Sequence, residues 1–389
     1  SVPVPVVVFL ALWAWAWGWW GDVLWVAHER SFFAFDQLLM DGVWNRPYGT
    51  LWIMGRAMLS LCAWPWLGGL LFAAMLTGVG CCLSYVFVRK RKNLAVLCHL
   101  PAVLWTLWLA YTSFNCYFKG EPGRIFGVPA LALIVVVVQA VFVWSFRRRK
   151  NVTETPAVGV CLRAVALLLP VVLLALVAWW EKQYRPWTRP TAAMERYYAD
   201  EDWDAMRRVA TGNATLSCRP MAAYYAIALV RQEAVMKNLF DIRFEYDDLP
   251  MLDWSGDTIN STVYYISECD MHAGLLQFAY HKAMEDMTVD GPTIHNLKIL
   301  TQVATMRHEN GVATKYLRVL ERTPGTAGFV ERWRSYVADS TLMEGDPTVK
   351  GIRRLEPLHD RFESSYTEPA FLGYNLQLFE GRSQQALLN

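Results

Sequence analysis

The stretch that decides the fold class runs from Ile125 to Phe146 and reads IFGVPALALIVVVVQAVFVWSF, with the basic cluster RRRK directly after it at 147–150. It carries no charged side chain over its whole length, and a helix needs about 20 apolar residues to cross a bilayer. Clusters of Lys and Arg beside such a run mark the cytoplasmic side of a membrane. The stretch therefore predicts a transmembrane α-helix.

Four further apolar runs flank this one, and together the five runs predict an all-α, five-span transmembrane domain over residues 1–180. The four runs are Val2–Gly21, Trp66–Val88, Asn93–Phe118 and Ala164–Trp180. From residue 181 onward the chain has the composition of a soluble protein. Overall, 54% of the residues are hydrophobic and only 19% are charged, whereas soluble proteins have about 25% charged residues. A single soluble enzyme is excluded, and the net charge of +2 gives no basis for binding nucleic acid.

The basic clusters also predict the orientation of the chain. A second cluster, RKRK at 89–92, follows the second run, and both clusters should lie in the cytoplasm. By parity, the N-terminus is then cytoplasmic, whereas the loops at 22–65 and 116–124 and the whole C-terminal half lie outside.

The first outer loop contains the residues that we consider for chemistry. Residues 28–41 have the spacing of an amphipathic helix, and Leu51–Trp64 predicts a second one, so that residues 28–64 would form interfacial helices. The candidate acid–base groups are Glu29, Asp36 and Asp41. The candidate ligands for a lipid phosphate are Arg46, Arg56, Lys119 and Arg124. Carboxylates can act as a general base or hold a divalent metal, and cations can hold phosphate.

This layout resembles the polytopic glycosyltransferases of the GT-C type, which place an acidic residue in the first outer loop. The resemblance implies transfer from a lipid-linked sugar at the outer membrane face, and a divalent metal is conceivable only under this alternative. The seven His residues have no metal-ligand spacing, so no metal site or other cofactor is expected otherwise. Solvated loop charges remain the competing interpretation.

The C-terminal half predicts a helical domain. Residues 181–190 are expected to form a stiff linker, residues 191–345 a tetratricopeptide-like array of helix pairs, and residues 346–389 an irregular tail. The best repeat unit is Thr293–Pro324, in which Ala313, Tyr316 and Leu320 fit the packed face of the second helix. Such arrays present a concave surface to a partner.

Three adjacent tyrosine pairs are candidate partner-binding residues on that surface. They are Tyr197 and Tyr198, Tyr224 and Tyr225, and Tyr264 and Tyr265. Neighbours on a helix diverge by about 100°, so one Tyr of each pair is expected to be accessible on a common face. The competing interpretation places all six in the core. Cys218 and Cys269 permit either a disulfide or two buried thiols.

Taken together, the chain resembles an uncharacterised family of polytopic membrane proteins from Bacteroidota with a C-terminal tetratricopeptide-like domain. The resemblance rests on HERSFFAFD at 28–36, RPYG at 46–49, WPWLGG at 64–69, WDA at 203–205, KYLRVLERTP at 315–324 and Trp333. It implies a bacterial inner-membrane protein with a periplasmic helical domain, but supplies no reaction.

Three functions follow as hypotheses. The leading one is a scaffold that is anchored among membrane lipids and docks a protein partner of the cell envelope. The alternative is the GT-C-like transferase, so the sequence leaves open whether the protein is an enzyme. A transporter is the weakest hypothesis, because no predicted span carries an uncompensated buried charge, and transport pathways usually have one.

Overall fold

The structure is a computed structural model of the 389-residue chain. It describes residues 4–34, 44, 49–87, 97–112, 122–147, 160–216, 218–243 and 265–357. Every regular element in these ranges is a helix, which confirms the all-α class. The chain divides into two compact units, Ser1–Arg189 and Pro190–Asn389.

The first unit is built from apolar helices around an aromatic core. Its helices are α1 (Val4–Gly18), α2 (Gly21–Glu29), α3 (Gly49–Leu59), which continues as a 3-10 turn (Ser60–Ala63), α4 (Pro65–Phe87), α5 (Leu100–Tyr111), α6 (Arg124–Arg147) and α7 (Val160–Tyr184). The Phe72 ring centroid lies 6.4 Å from that of Trp15 and 6.2 Å from that of Phe126. Since Phe72 and Phe126 both lie near the start of their helices, α4 and α6 begin at the same end of the unit.

Two of the described helices are long and apolar enough to cross a membrane, namely the segments Pro65–Val86 and Arg124–Ser145. α1 and α2 would form a third span together, although they are bent by 65°. The part of the chain that the structure describes thus holds two or three candidate spans, and the predicted count of five stays a prediction. The third predicted run contains the 12-residue helix α5, which is too short to cross alone.

Close backbone contact joins α3 to α6. A Cβ on Gly55 would lie 2.0 Å from the carbonyl oxygen of Gly123, and one on Gly127 would lie 2.6 Å from that of Leu51. Any larger residue at either position would push the two helices apart. Glycine is therefore required at both positions for α3 to lie against the start of α6.

The second unit packs successive short helices side by side. They are α8 (Thr188–Ala199, which begins in the first unit), α9 (Trp203–Gly212), α10 (Arg219–Arg231), α11 (Val235–Asn238), α12 (Ile266–His272), α13 (Leu276–Asp290), α14 (Ile294–Met306), α15 (Asn310–Leu320), α16 (Ala327–Ala338), α17 (Ser340–Gly345) and α18 (Pro347–Leu355). The predicted unit Thr293–Pro324 is the pair α14–α15. Thr293 caps α14 through its hydroxyl group, 3.1 Å from the amide nitrogen of Asn296.

Polar contacts join the beginning of this unit to its end. Arg332 in α16 donates 2.5 Å hydrogen bonds to Glu201, in the α8–α9 turn, and to Asp346. The Thr348 hydroxyl group donates to the other Glu201 oxygen at 2.6 Å. In an open solenoid each repeat contacts only its neighbours. These contacts therefore close the helices on themselves, and the predicted open concave face is not what they form.

Helices extend into the two segments predicted to be a linker and an irregular tail. Within the predicted linker, α7 continues to Tyr184 and α8 begins at Thr188, so that only three residues interrupt the helices. Pro186 explains the break, because the residue before a proline disfavours helical backbone. Within the predicted irregular tail, Pro347–Leu355 is helical: the Asp346 carboxylate caps its start, and Val349, Ile352 and Leu355 are buried. Residues 358–389 lie outside the described residues.

Residues 28–34 do not form the first predicted interfacial helix as one element, and residues 35–41 lie outside the described residues. α2 ends at Glu29, and residues 31–34 are not helical. His28, Glu29, Ser31 and Phe32 are all buried. An amphipathic helix at a surface exposes one face to solvent. These four buried residues occupy nearly successive positions, so the segment does not form such a helix.

Candidate functional site

The end of α7 is tied to the bend between α1 and α2 by a buried carboxylate. Glu181 is only 1% exposed. It accepts hydrogen bonds from the indole nitrogens of Trp19 and Trp20, both at 2.8 Å. The Arg189 guanidinium group lies 3.6 Å from the centroid of the Trp19 ring, and its Nε donates to the Trp19 carbonyl oxygen at 2.9 Å.

Sequence reasoning missed this cluster. The available signal was an isolated acidic residue directly after Trp179 and Trp180, at the end of a long apolar run. A buried carboxylate without hydrogen bonds is costly, and the indole donors remove that cost. The cluster stabilises the bend that directs α2 towards α3 and the 3-10 turn.

Two of the candidate reactive residues are buried on neighbouring helices. Glu29, at the end of α2, is 5% exposed, and Arg56, in α3, is 8% exposed. The adjacent His28 places its Nδ1 atom 3.1 Å from the carbonyl oxygen of Leu59, just before the 3-10 turn. Buried ionisable side chains are rare unless they are compensated, so Glu29 and Arg56 are candidates for a chemical role.

Arg124 lies on the helix that packs against α3. Its side chain is exposed, and its guanidinium carbon lies 5.2 Å from the centroid of the Trp52 ring. The structure thus brings Glu29, Arg56 and Arg124 onto three helices in sequential contact, α2, α3 and α6. The other four candidates lie outside the described residues: Asp36, Asp41, Arg46 and Lys119.

The predicted tyrosine groove is wrong. Tyr224 and Tyr225 are both fully buried, so neither can line a surface. Their hydroxyl groups explain the burial: Tyr224 donates to Glu268 at 3.1 Å, and Tyr225 donates to the Asn238 carbonyl oxygen at 2.6 Å. Tyr265 is also buried, Tyr197 and Tyr198 are partly buried, and Tyr264 lies outside the described residues.

Glu268 is the centre of a polar cluster inside the second unit. It is fully buried and accepts hydrogen bonds from the hydroxyl groups of Tyr224 and Ser267, each at 3.1 Å. Nε2 of His295 lies 3.0 Å from its Oε1 atom. A substrate would have no route to a carboxylate that is enclosed in this way. The cluster holds α10, α12 and α14 together.

A second polar cluster adjoins the first. The Tyr198 hydroxyl group lies 3.1 Å from Nε2 of His272, and the Trp203 ring packs edge-on against the imidazole, with the centroids 5.7 Å apart. Burial, together with the nearby Arg231 charge, lowers the pKa of His272 well below its ordinary value. Its ring is therefore neutral at pH 7. Arg231 donates to the His272 carbonyl oxygen at 2.7 Å.

Cys218 and Cys269 are free thiols in this structure, Cys218 buried and Cys269 partly buried. Cys218 is buried beside Thr191, with 3.6 Å between Sγ and Oγ1. Burial raises the pKa of Cys218 to about 11 and also raises that of Cys269. Thiols with raised pKa values are poor nucleophiles. Among the side chains that the structure describes, no three His, Cys, Asp or Glu residues are grouped so as to hold a metal ion.

Comparison with known proteins gives one match. Residues 126–384 match a family of unknown function, DUF6057, which is more than half of the chain. The first-loop segment at 28–36 precedes this match. No curated protein and no solved structure matches the chain.

Proposed function

We propose that this chain, which belongs to the family DUF6057, is a membrane-anchored scaffold of the bacterial inner membrane. Its first unit sits among membrane lipids, and its helical second unit, which lies in the periplasm, docks a protein partner of the cell envelope.

The exterior of the first unit supports the membrane anchor. Large apolar side chains are exposed along α6, among them Val138, Val141 and Phe142. In water such surfaces of separate molecules would associate with each other, whereas lipid tails solvate them. Exposed aromatic side chains also gather at helix ends: Trp17, Trp64, Trp66, Trp108, Tyr111, Trp179 and Tyr184. Trp and Tyr are enriched where a membrane meets water.

Direct contacts join these ends. The Trp13 indole donates to the Trp66 carbonyl oxygen at 3.1 Å, linking α1 to the start of α4. The Tyr111 and Trp180 ring centroids lie 6.2 Å apart, linking the ends of α5 and α7. The basic clusters at 89–92 and 147–150 follow the other ends of α4 and α6. The end with Trp66, Tyr111 and Tyr184, which we call the aromatic end, is therefore the periplasmic one in this proposal, while Tyr85 and Trp144 are exposed at the opposite ends of α4 and α6.

The observation that carries the scaffold function is the closed polar interior of the second unit. Glu268 and His272, which are of the residue types that act in catalysis, are buried and engaged with other protein groups. The surface, in contrast, presents the large apolar side chains Met236 and Phe240, which are 93% and 87% exposed. Single exposed apolar side chains are ordinary, whereas two that lie four positions apart on one short segment are a candidate contact surface.

Two measurements test the scaffold. A reporter fused after Asn389 should read out on the periplasmic side, and a cytoplasmic readout would overturn the orientation. Purification of the full-length protein from its native membranes should recover a protein partner in stoichiometric amount. Replacing Met236 and Phe240 by Ser should reduce that recovery, whereas replacing the exposed Val289 by Ser should not.

The burial of Glu29 and Arg56 favours one second candidate, a GT-C-like transferase that uses a lipid-linked sugar. Ionisable side chains that are buried in the protein are rare, and Arg124 adds a cation on the adjoining helix. Single replacements of Glu29, Asp36 and Asp41 by Ala separate the two functions once assembly is verified. A scaffold retains its partner in all three variants, whereas a transferase loses turnover in at least one. Co-purification of a polyprenyl lipid would favour the enzyme.

A further inference from the structure

An arginine lies between two aromatic rings at the ends of α5 and α7. The Arg185 guanidinium carbon is 5.5 Å from the Tyr111 ring centroid and 5.9 Å from that of Trp187. Tyr111 is 58% exposed, so the site opens to the surroundings. A guanidinium group that contacts rings keeps N–H donors along its edge, in a fork that matches phosphate oxygens.

The charge of this arginine is not neutralised within the described part of the protein. No described carboxylate lies within ion-pair distance of Arg185, and the nearest acidic residue along the helix, Glu181, is engaged by Trp19 and Trp20. The neighbouring Lys182 is exposed and adds a second positive charge. The positive charges of Arg185 and Lys182 therefore favour the binding of an anion here.

Arg124 repeats the arrangement at the start of α6. Its guanidinium group lies against the Trp52 ring at 5.2 Å, and its side chain is exposed. No described carboxylate pairs with it either. Helix N-termini favour anions over cations, so an arginine here is not explained by the stability of its own helix. An anionic ligand outside the protein would explain it.

Both arginines lie at the aromatic end of the first unit. Tyr111 contacts Trp180, whose ring centroid is 5.4 Å from that of Tyr184. Arg124 is the first described residue of α6, which begins at the same end of the unit as α4. In a membrane, aromatic side chains of this kind sit at the depth of the lipid headgroups, so both guanidinium groups reach the phosphate layer.

We propose that Arg185, with Tyr111 and Trp187, and Arg124, with Trp52, bind the phosphates of anionic phospholipid headgroups. These contacts select anionic over zwitterionic lipid and hold the unit at a defined depth. The inference rests on the proposed membrane anchor, and it adds a ligand class and a pair of binding sites to it.

The test uses the full-length protein in detergent, titrated separately with phosphatidylglycerol and phosphatidylcholine, with bound lipids counted by native mass spectrometry. Each arginine near a headgroup contributes about 1 kcal/mol, which corresponds to about fivefold in binding. We expect more bound phosphatidylglycerol than phosphatidylcholine. Arg124→Gln and Arg185→Gln should each reduce the preference by about fivefold, whereas Arg208→Gln, at an exposed arginine in α9, should leave it unchanged.

If the natural protein binds the two lipids equally, the proposed headgroup sites are wrong. This result does not depend on any variant. An unchanged preference in both variants would also overturn the sites, as would loss of the preference on addition of inorganic phosphate, since the ligand would then be free phosphate. Alkaline carbonate extraction of the producing membranes separates the two proposals. Release of the protein would overturn the anchor itself and the headgroup sites with it, whereas retention leaves the lipid titration as the test of the sites alone.

Discussion

Trp20 donates a 2.8 Å hydrogen bond from its indole nitrogen to the Glu181 carboxylate, across 161 positions of sequence. Both side chains are almost fully buried. The bond joins the bend between the first two helices to the end of α7, so the geometry of the Glu29 and Arg56 region depends on a residue far from it in sequence.

Replacing Glu181 by Gln should destabilise the first unit. The Trp20 indole lies 2.8 Å from one carboxylate oxygen and 3.0 Å from the oxygen that Trp19 also bonds. In the amide, an NH2 group replaces one of these oxygens and sets a donor against the indole donor of Trp20, at a cost of roughly 1–3 kcal/mol. Thermal unfolding of the solubilised full-length protein, followed by tryptophan fluorescence, measures this loss. Glu331→Gln, at an exposed position, is the matched control, and an equal effect in both variants would contradict the structural role of Glu181.

Replacing Asp270 by Asn should reduce the pH dependence of stability. Burial, with a contribution from Glu268, raises the pKa of Asp270 to about 7 from an ordinary 3.8. Between these values the folded state binds more protons than the unfolded state, so the natural protein loses stability as the pH rises from about 4 to 7. The variant should lack this loss and be more stable at pH 8, by roughly 1–4 kcal/mol. Unfolding midpoints recorded across this pH range measure it; parallel curves for the two proteins would show that Asp270 is not the responsible group.

Replacing Arg332 by Gln should loosen the closure of the second unit. The change removes the ion pairs to Glu201 and to the mostly buried Asp346. After allowance for the partial exposure of Arg332, the loss should be on the order of 1–2 kcal/mol. Hydrogen exchange should then accelerate in α18 and in the α8–α9 turn together. Arg334→Gln breaks an exposed pair with Glu321 and should change neither segment.

Replacing Tyr224 by Phe should affect stability and not partner binding. The variant keeps the ring and removes one donor to the buried Glu268, which costs about 1 kcal/mol. Partner recovery from native membranes should equal that of the natural protein, because Tyr224 has no exposed surface. If the variant remains folded but loses the partner, Tyr224 contributes to the binding surface after all and this prediction is wrong.

The sequence by itself determined the division between an apolar half and a half of ordinary polar composition, the helical class and the α14–α15 pair. These features depend on local properties: the length of uncharged runs, the spacing of Ala313 and Leu320, and caps such as Thr293. Such signals involve residues within a few turns of each other, and composition and periodicity record them directly.

Only the tertiary structure decided the roles of the charged and tyrosine side chains. Tyr224 and Glu268 are 44 positions apart, Trp20 and Glu181 are 161 apart, and Arg332 and Glu201 are 131 apart. Periodicity indicates which face of a helix is apolar, but it does not indicate which distant carboxylate will meet a buried hydroxyl group or indole. Tyr224 and Tyr225 are core residues because their hydroxyl groups have acceptors inside the protein, and a buried polar group is stable only where folding supplies its partner.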